Sequence, residues 1–283
     1  MNGIGDVSYD PRLDFGRTAG AGRAHLAVSD LLVLCYHAVS PTWPAALSVT
    51  PEALDRQLGG LARRGYRGAR FTDALRAPDA GRTVVVTFDD NYRSVLELAK
   101  PILDRYAMPG TLFVPTDWVD DPRPMRWPGI DRWLGTEHED ELHALGWDEL
   151  AGLQRDGWEI GSHTRSHPHL TQVDDDAALR EELEGSKATI EERLGVPCTS
   201  LAYPYGDADA RVERATAAAG YEAAGTIPRK LPEPRPLAWP RAPIFHDDGP
   251  LRARIKLSPL ARAVRASRAM APLERARIAL SRA

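Results

Sequence analysis

The chain has 283 residues, 43% of them hydrophobic and 27% charged, and a formal net charge of −4; this is enough for one large domain or two small ones and excludes a disordered or fibrous protein. Its longest continuous apolar run, Leu31 to Tyr36, has six residues, far short of the roughly 20 that a membrane-crossing helix needs. The charge is uneven, because Leu251 to Ala283 carries nine Lys or Arg against the single acid Glu274, which suits a docking tail and not nucleic-acid binding by the whole protein.

Residues 1–28 place Asp6, Asp10 and Asp14 among scattered Gly and Arg and lack the basic start and apolar middle of a secretory leader. They read as a flexible N-terminal segment, and a cytoplasmic location is expected. From residue 29 onward, short apolar or β-branched runs alternate with stretches of helical period, the pattern of parallel strands joined by helices. Strands are expected at Leu31 to Tyr36, Thr83 to Phe88, Thr111 to Val114, Trp158 to Ser162, Thr199 to Tyr203 and Glu222 to Thr226, with a weaker one at Ala242 to Phe245. Six or seven strands suit a barrel.

Between the first two strands, Thr50 as N-cap, Pro51 at the first helical position and Glu52 in the first turn open a helix that lines up Leu54, Leu58 and Leu61. Asp174 to Leu194 opens with three acids and stops at Gly195 before Pro197, which predicts the longest helix. The stretch 119–141 mixes Pro122, Pro124 and Pro128 with Trp127 and Trp133 and reads as a loop inserted over one end of the barrel. A Pro-rich stretch, Pro228 to Pro243, is read as a link to the tail. Cys35 and Cys198 stand in no paired spacing and read as buried free thiols.

Three stretches can carry chemistry. Val84-Val85-Val86-Thr87-Phe88-Asp89-Asp90-Asn91 is an apolar strand ending in two carboxylates, and strand C-termini are where α/β barrels keep their active sites. Adjacent carboxylates can divide labour, one holding a metal and the other accepting a proton, although an Asp-Asn turn capping the next helix would read the same way. Glu159-Ile160-Gly161-Ser162-His163-Thr164-Arg165-Ser166-His167-Pro168-His169 runs a short strand into three histidines. A spacing of four can bring two imidazoles to one ion if the backbone turns. Ser200-Leu201-Ala202-Tyr203-Pro204-Tyr205-Gly206 ends another strand in a turn that can aim a backbone N–H at an oxyanion.

In order along the chain, Thr87-Phe88-Asp89-Asp90 and Ser162-His163-Thr164-Arg165-Ser166-His167-Pro168 resemble the motifs of the polysaccharide deacetylases, carbohydrate esterase family 4 or the NodB-homology domain. Supporting matches are Leu34-Cys35-Tyr36-His37, Gly110-Thr111-Leu112-Phe113-Val114 and Trp147-Asp148-Glu149-Leu150. The resemblance runs from about Leu31 to about Phe245. It implies a single catalytic domain over residues 29–250, a deformed (β/α)7-type barrel. It also implies one divalent metal held by Asp90, His163 and His167, most often zinc, with cobalt, nickel, manganese or iron as alternatives. Asp89 would be the general base, and the N–H of Tyr205 would meet the oxyanion.

The chain departs from that pattern at three places. Ala202 stands where the family has an Arg that steadies the base, and Arg241 is the candidate replacement. For the late histidine that supplies the family's general acid, His246 lacks the expected leucine two residues before it, so His37 is preferred and His246 is the alternative. Asn91 replaces a Gly after the Asp pair, a mild change because Asn tolerates positive φ. Trp127, Tyr203 and His246 are assigned to substrate contact, although Trp127 could equally pack the insertion onto the barrel.

The function expected is metal-dependent removal of acetyl from an N-acetylated amino sugar, in a polysaccharide, a lipid-linked glycan or a small glycoside, giving acetate and a free amine. Hydrolysis of another amide on the same scaffold, or an inactive carbohydrate-binding relic, are the alternatives. The tail 251–283 reads as a basic amphipathic helix, for an anionic membrane surface at the inner face or for a partner, or packed on the acidic barrel.

Overall fold

The computed structural model describes residues 30–77, 81–227 and 234–258; the expected N-terminal segment 1–28 and the tail beyond residue 258 lie outside these. Eight strands in one parallel sheet form the barrel wall: β1 (Leu31–Tyr36), β2 (Thr83–Phe88), β3 (Gly110–Val114), β4 (Glu159–Ser162), β5 (Ser200–Ala202), β6 (Ala223–Thr226), β7 (Trp239–Pro240) and β8 (Ala242–Pro243). β1 and β2 are paired along their whole length, from Leu31 with Thr83 to Tyr36 with Phe88. The order then runs β2-β3-β4-β5-β6-β7, and β8 lies against the free side of β1. A two-residue strand, Arg67–Gly68, lies beside the start of β2.

Closure comes from one short segment. β7 pairs with β6 through Trp239 and Pro240, and two residues later β8 pairs with β1 through Ala242 and Pro243. Arg241 sits at the crossing, its N–H donated to the Thr226 carbonyl at 2.9 Å. The end of the stretch read from its prolines as a linker, residues 239–243, thus supplies the last two strands of the wall. Its ladder donors are Arg241 and Ile244, the latter to the Cys35 carbonyl, so Pro240 and Pro243 fall where the missing N–H costs no cross-strand bond.

Strand parity sorts the side chains into two apolar layers. Leu32, Leu34, Tyr36, Val84, Val86, Phe88, Leu112, Leu201 and Ala224 point outward and pack under the helices. Val33, Val85, Phe113, Ala202 and Ala223 form a separate, smaller cluster with Phe71 and Ala74, which is the barrel interior. The helix Phe71–Arg76 closes the interior at the strands' N-terminal end: the N–H of Phe71 donates to Thr111 Oγ1, and that of Thr72 to Glu159.

The helices follow their sequence signals. Pro51–Arg63 starts at Thr50, whose side chain accepts from the N–H of Ala53, and buries Leu54, Leu58 and Leu61. Residues 176–194 form one continuous helix, capped by Asp175 on the N–H groups of Ala177 and Ala178 and ended by Gly195 at φ 69°; a π-helical turn, Glu181–Gly185, interrupts it. The stretch 119–141 contains only short 3₁₀ turns, and Met125, Trp127 and Ile130 bury themselves beneath it. The helix Pro250–Lys256 follows β8. No helix among the described residues is long and apolar enough to cross a membrane.

Candidate active site

The interior parity of β2 carries Val85 and Thr87 on to Asp89, and that of β1 carries Val33 on to Cys35, so a carboxylate and a thiol emerge side by side where the strands end. Asp89 is 1% exposed. Arg241 reaches it from the closing segment as a two-pronged clamp, with Nη1 donating to Oδ1 at 2.7 Å and Nη2 to Oδ2 at 2.8 Å. Nη1 also donates to Thr87 Oγ1 at 3.0 Å, and the guanidinium carbon lies 5.4 Å from the centre of the Phe113 ring. Burial would raise the Asp89 pKa, but the charge of Arg241, with those of His163 and His37, outweighs it and holds the carboxyl below its usual value. Arg241 is itself 1% exposed, so the pair is buried as a unit.

Two more groups face Asp89 Oδ2. The Cys35 thiol donates to it across 3.4 Å, and His37 Nε2 lies 4.0 Å away. Burial, partly offset by Arg241, pushes the Cys35 thiol well up, so it stays protonated. His37 is 15% exposed at its side chain, the most open member of the group.

Asp90, His163 and His167 form the neighbouring cluster, all buried. The Asp90 backbone is left-handed at φ 72°, which turns its carboxylate away from Asp89's direction, and Asn91 follows at φ 64°. The Asn91 side chain fixes this turn by donating to the Leu145 carbonyl at 3.0 Å. Asp90 Oδ1 lies 3.2 Å from His163 Nε2 and 3.2 Å from His167 Nε2. His163 Nδ1 is 2.7 Å from the Ala202 carbonyl, so it carries the proton and leaves Nε2 free as a ligand. His167 is positioned by rings: Trp127 stacks on it at 4.3 Å, and Tyr205 meets it edge-on at 4.8 Å.

The donor set fits a metal ion. A tetrahedral ion with ligands at about 2.0–2.1 Å needs ligand atoms about 3.3 Å apart, and the two Asp90 distances are 3.2 Å. Asp90 Oδ1 is buried and makes no well-directed hydrogen bond; such an oxygen between two imidazoles suits a cation. Burial opposes ionisation of Asp90, but the two imidazoles outweigh it and hold the carboxyl well below its usual range.

Tyr205 closes the site from β5. Its φ is 58°, the residue is 37% exposed, and its ring stacks on His169 at 3.6 Å. The buried Tyr92 phenol, which the sequence reading left without a role, is held protonated by burial and by the nearby Asp90 charge.

Tyr203, Trp127 and His246, the three residues expected to contact substrate, occupy three different settings. Tyr203 shares the outward parity of Leu201; it is fully buried, with its hydroxyl donating to the Leu237 carbonyl at 2.9 Å, so no part of it faces the site. Trp127 is 6% exposed with one face stacked on the His167 ring, so it packs the insertion against that histidine. His246 is exposed, tied by its N–H to the Ala46 carbonyl, and belongs to neither side-chain cluster. Of the two histidines considered as acid, the structure brings His37 to Asp89.

The polysaccharide deacetylase family model matches residues 76–224. The poly-beta-1,6-N-acetyl-D-glucosamine N-deacetylase of Escherichia coli is 28% identical over 124 residues, 42% of this chain and 18% of that protein. The enzyme of the same name from Staphylococcus aureus is 26% identical over 133 residues, 44% of this chain and 41% of that one. The chain thus spans less than half the length of these curated relatives. Among solved structures, the Streptococcus pyogenes deacetylase PplD in complex with acetate superposes with a TM-score of 0.67 at 23% identity, covering 81% of this chain and 98% of that one. IcaB from Ammonifex degensii gives 0.67 at 23%, covering 81% and 97%. The likeness to these structures is one of fold, and the family match covers more than half of the sequence, motif strands included: the chain belongs to the polysaccharide deacetylase family.

Proposed function

We propose that the protein removes the acetyl group from an N-acetylated amino sugar of a glycan, using one divalent metal, with zinc the best match to the donor set. The observation that carries this reading is the adjacency of two buried clusters. One can hold a cation, and the other is a carboxylate clamped by Arg241 with an imidazole 4.0 Å away.

Asp90, His163 and His167 would hold the metal, which when bound supplies Lewis acidity, lowering the pKa of water and polarising the amide carbonyl. Asp89 is the base. Both of its oxygens are fixed by Arg241, so it cannot swing toward the cation, and its low pKa keeps it ionised to accept the proton of the attacking water. The left-handed turn at Tyr205 presents a backbone N–H for the developing oxyanion. His37 Nε2, beside the base and partly open to solvent, donates a proton to the departing amine. The Cys35 thiol and Thr87 hold the Asp89–Arg241 pair in register and touch no substrate.

The test is acetate release from N-acetylglucosamine oligomers by metal-reconstituted protein. Asp89→Asn and His163→Ala are each expected to lower the rate at least about 100-fold, while His246→Ala keeps it. Stoichiometric metal with no acetate from any acetylated sugar would overturn the reading.

A further inference from the structure

Beside the Asp90 cluster the strand ends gather a second set of ligand atoms. Cys35 Sγ, one nitrogen of His37 and one oxygen of Asp89 all lie within 4.8 Å of one another. We infer that Cys35, His37 and Asp89 form a second cation site, selective for thiophilic divalent ions such as zinc and cadmium, and that filling it shuts the enzyme off.

The geometry is close to what such an ion requires. With zinc–sulfur near 2.3 Å and zinc–oxygen near 2.0 Å, a tetrahedral ion needs sulfur and oxygen about 3.5 Å apart, and Cys35 Sγ stands 3.4 Å from Asp89 Oδ2. His37 Nε2, at 4.0 Å from the same oxygen, has to approach by under 1 Å. It is the one of the three with an exposed edge, which leaves it free to move and gives the ion its way in. His37 Nδ1 is buried without a hydrogen-bond partner, so no bond holds the ring in its present place.

The charges decide which ion enters. Arg241 already neutralises Asp89, so the carboxylate alone offers a hard cation such as magnesium or manganese little. The remaining donors are a sulfur and an imidazole, which favour zinc and cadmium. As the metal–sulfur bond forms, the thiol proton leaves to solvent, and the thiolate supplies the negative charge that Arg241 has cancelled. The guanidinium keeps this site weaker than the Asp90 cluster, so it fills second. An ion there would sit on Asp89 Oδ2 and His37 Nε2, the base and the acid of the proposed reaction; the inhibitory part of the inference rests on that reading, and the binding part does not.

Cadmium titrated into metal-free full-length protein, followed by equilibrium dialysis and by the ultraviolet charge-transfer band of cadmium thiolate, separates the possibilities. The expected result is two ions per chain, the band rising only with the second, and zinc displacing it. Cys35→Ala should hold one ion and show no band. Cys35→Ser, which conserves the packing volume, should also show no band, and Cys198→Ala should behave as the unaltered chain. One ion per chain, or a band that survives Cys35→Ser, overturns the site. These readings need no substrate, so they stand even if the protein releases no acetate; if it does release acetate, excess zinc should inhibit the unaltered chain at least tenfold more than Cys35→Ser.

Discussion

Replacing Arg241 by Ala tests the central pairing of the site. Arg241 and Asp89 are each about 1% exposed and share two charge-assisted hydrogen bonds of 2.7 and 2.8 Å. Removing one member strands the other charge in the barrel, which costs about 3–5 kcal/mol, a large part of the roughly 5–15 kcal/mol that holds a domain together. At about 2–4 °C per kcal/mol for a domain of this size, the unfolding midpoint should fall by about 6–20 °C. The assay is a double-mutant cycle in thermal or urea unfolding with Arg241→Ala, Asp89→Ala and the pair. Each single change should be severe and the pair much milder than their sum, because removing both charges leaves nothing unpaired. Additivity within about 0.5 kcal/mol would show that the residues do not interact and would refute the clamp. Arg241→Lys should fall between, keeping the charge while losing the fork that matches a carboxylate.

Gly225 faces the same side chain: a Cβ there would stand 2.6 Å from Arg241 Nε and 2.7 Å from Cδ. Gly225→Ala should therefore destabilise by about 1–3 kcal/mol and slow acetate release, and should be nearly neutral in an Arg241→Ala background, as unfolding midpoints of the two pairs would show. In the helix 186–194, Glu191 accepts from Lys187 Nζ at 2.9 Å and from the N–H of Cys198 at 3.0 Å. Burial would raise its pKa, but these two partners outweigh it and lower it. With the folded value below the unfolded one, its contribution is present above the ordinary carboxylate pKa and is lost as pH falls through the folded value. Glu191→Gln should cost under about 1 kcal/mol at neutral pH, given a partly solvent-screened pair, and progressively less below pH about 4.5; a pH-independent difference would contradict this.

What the sequence made legible was whatever a single strand and its end determine. β2 could be read with Asp89 and Asp90 at its tip, and β4 with His163, because an apolar run that stops at polar residues fixes both the strand and the place where its last side chains emerge. Parity, by contrast, has to be anchored on a neighbour. Tyr203 looked available because it ends a strand, yet it falls on the helix-facing side with Leu201. Arg241 was the hardest to place, since the segment that carries it has two prolines and only two residues in register with each neighbour. Its position depends on the segment pairing with β6 on one side and β1 on the other, a tertiary fact with no local signal. Trp127 shows the same limit: an aromatic in an insertion names no partner until the loop is laid over His167.

The backbone shows how strand ends become a site. Among the described residues, seven that are not glycine adopt positive φ, and five of them are Asp90, Asn91, Thr164, His167 and Tyr205. Asp and Asn adopt this region at small cost, and the other three each cost on the order of 1–2 kcal/mol, so the cluster holds a few kcal/mol of strain. A residue that simply continued its strand would keep alternating in and out along the wall. Turning left-handed immediately after the strand breaks that alternation, which is how Asp89 can face Arg241 while Asp90, its immediate neighbour, faces two imidazoles, and how His163 and His167, four residues apart, meet on one carboxylate oxygen. The strain is sustained by contacts that leave the turn no alternative: Asn91 on the Leu145 carbonyl, the N–H of Thr164 on Ser162 Oγ, and the N–H of His167 on Thr164 Oγ1. Held in this way, Asp89, Asp90, His163 and His167 keep their relative directions through backbone turns and protein hydrogen bonds alone.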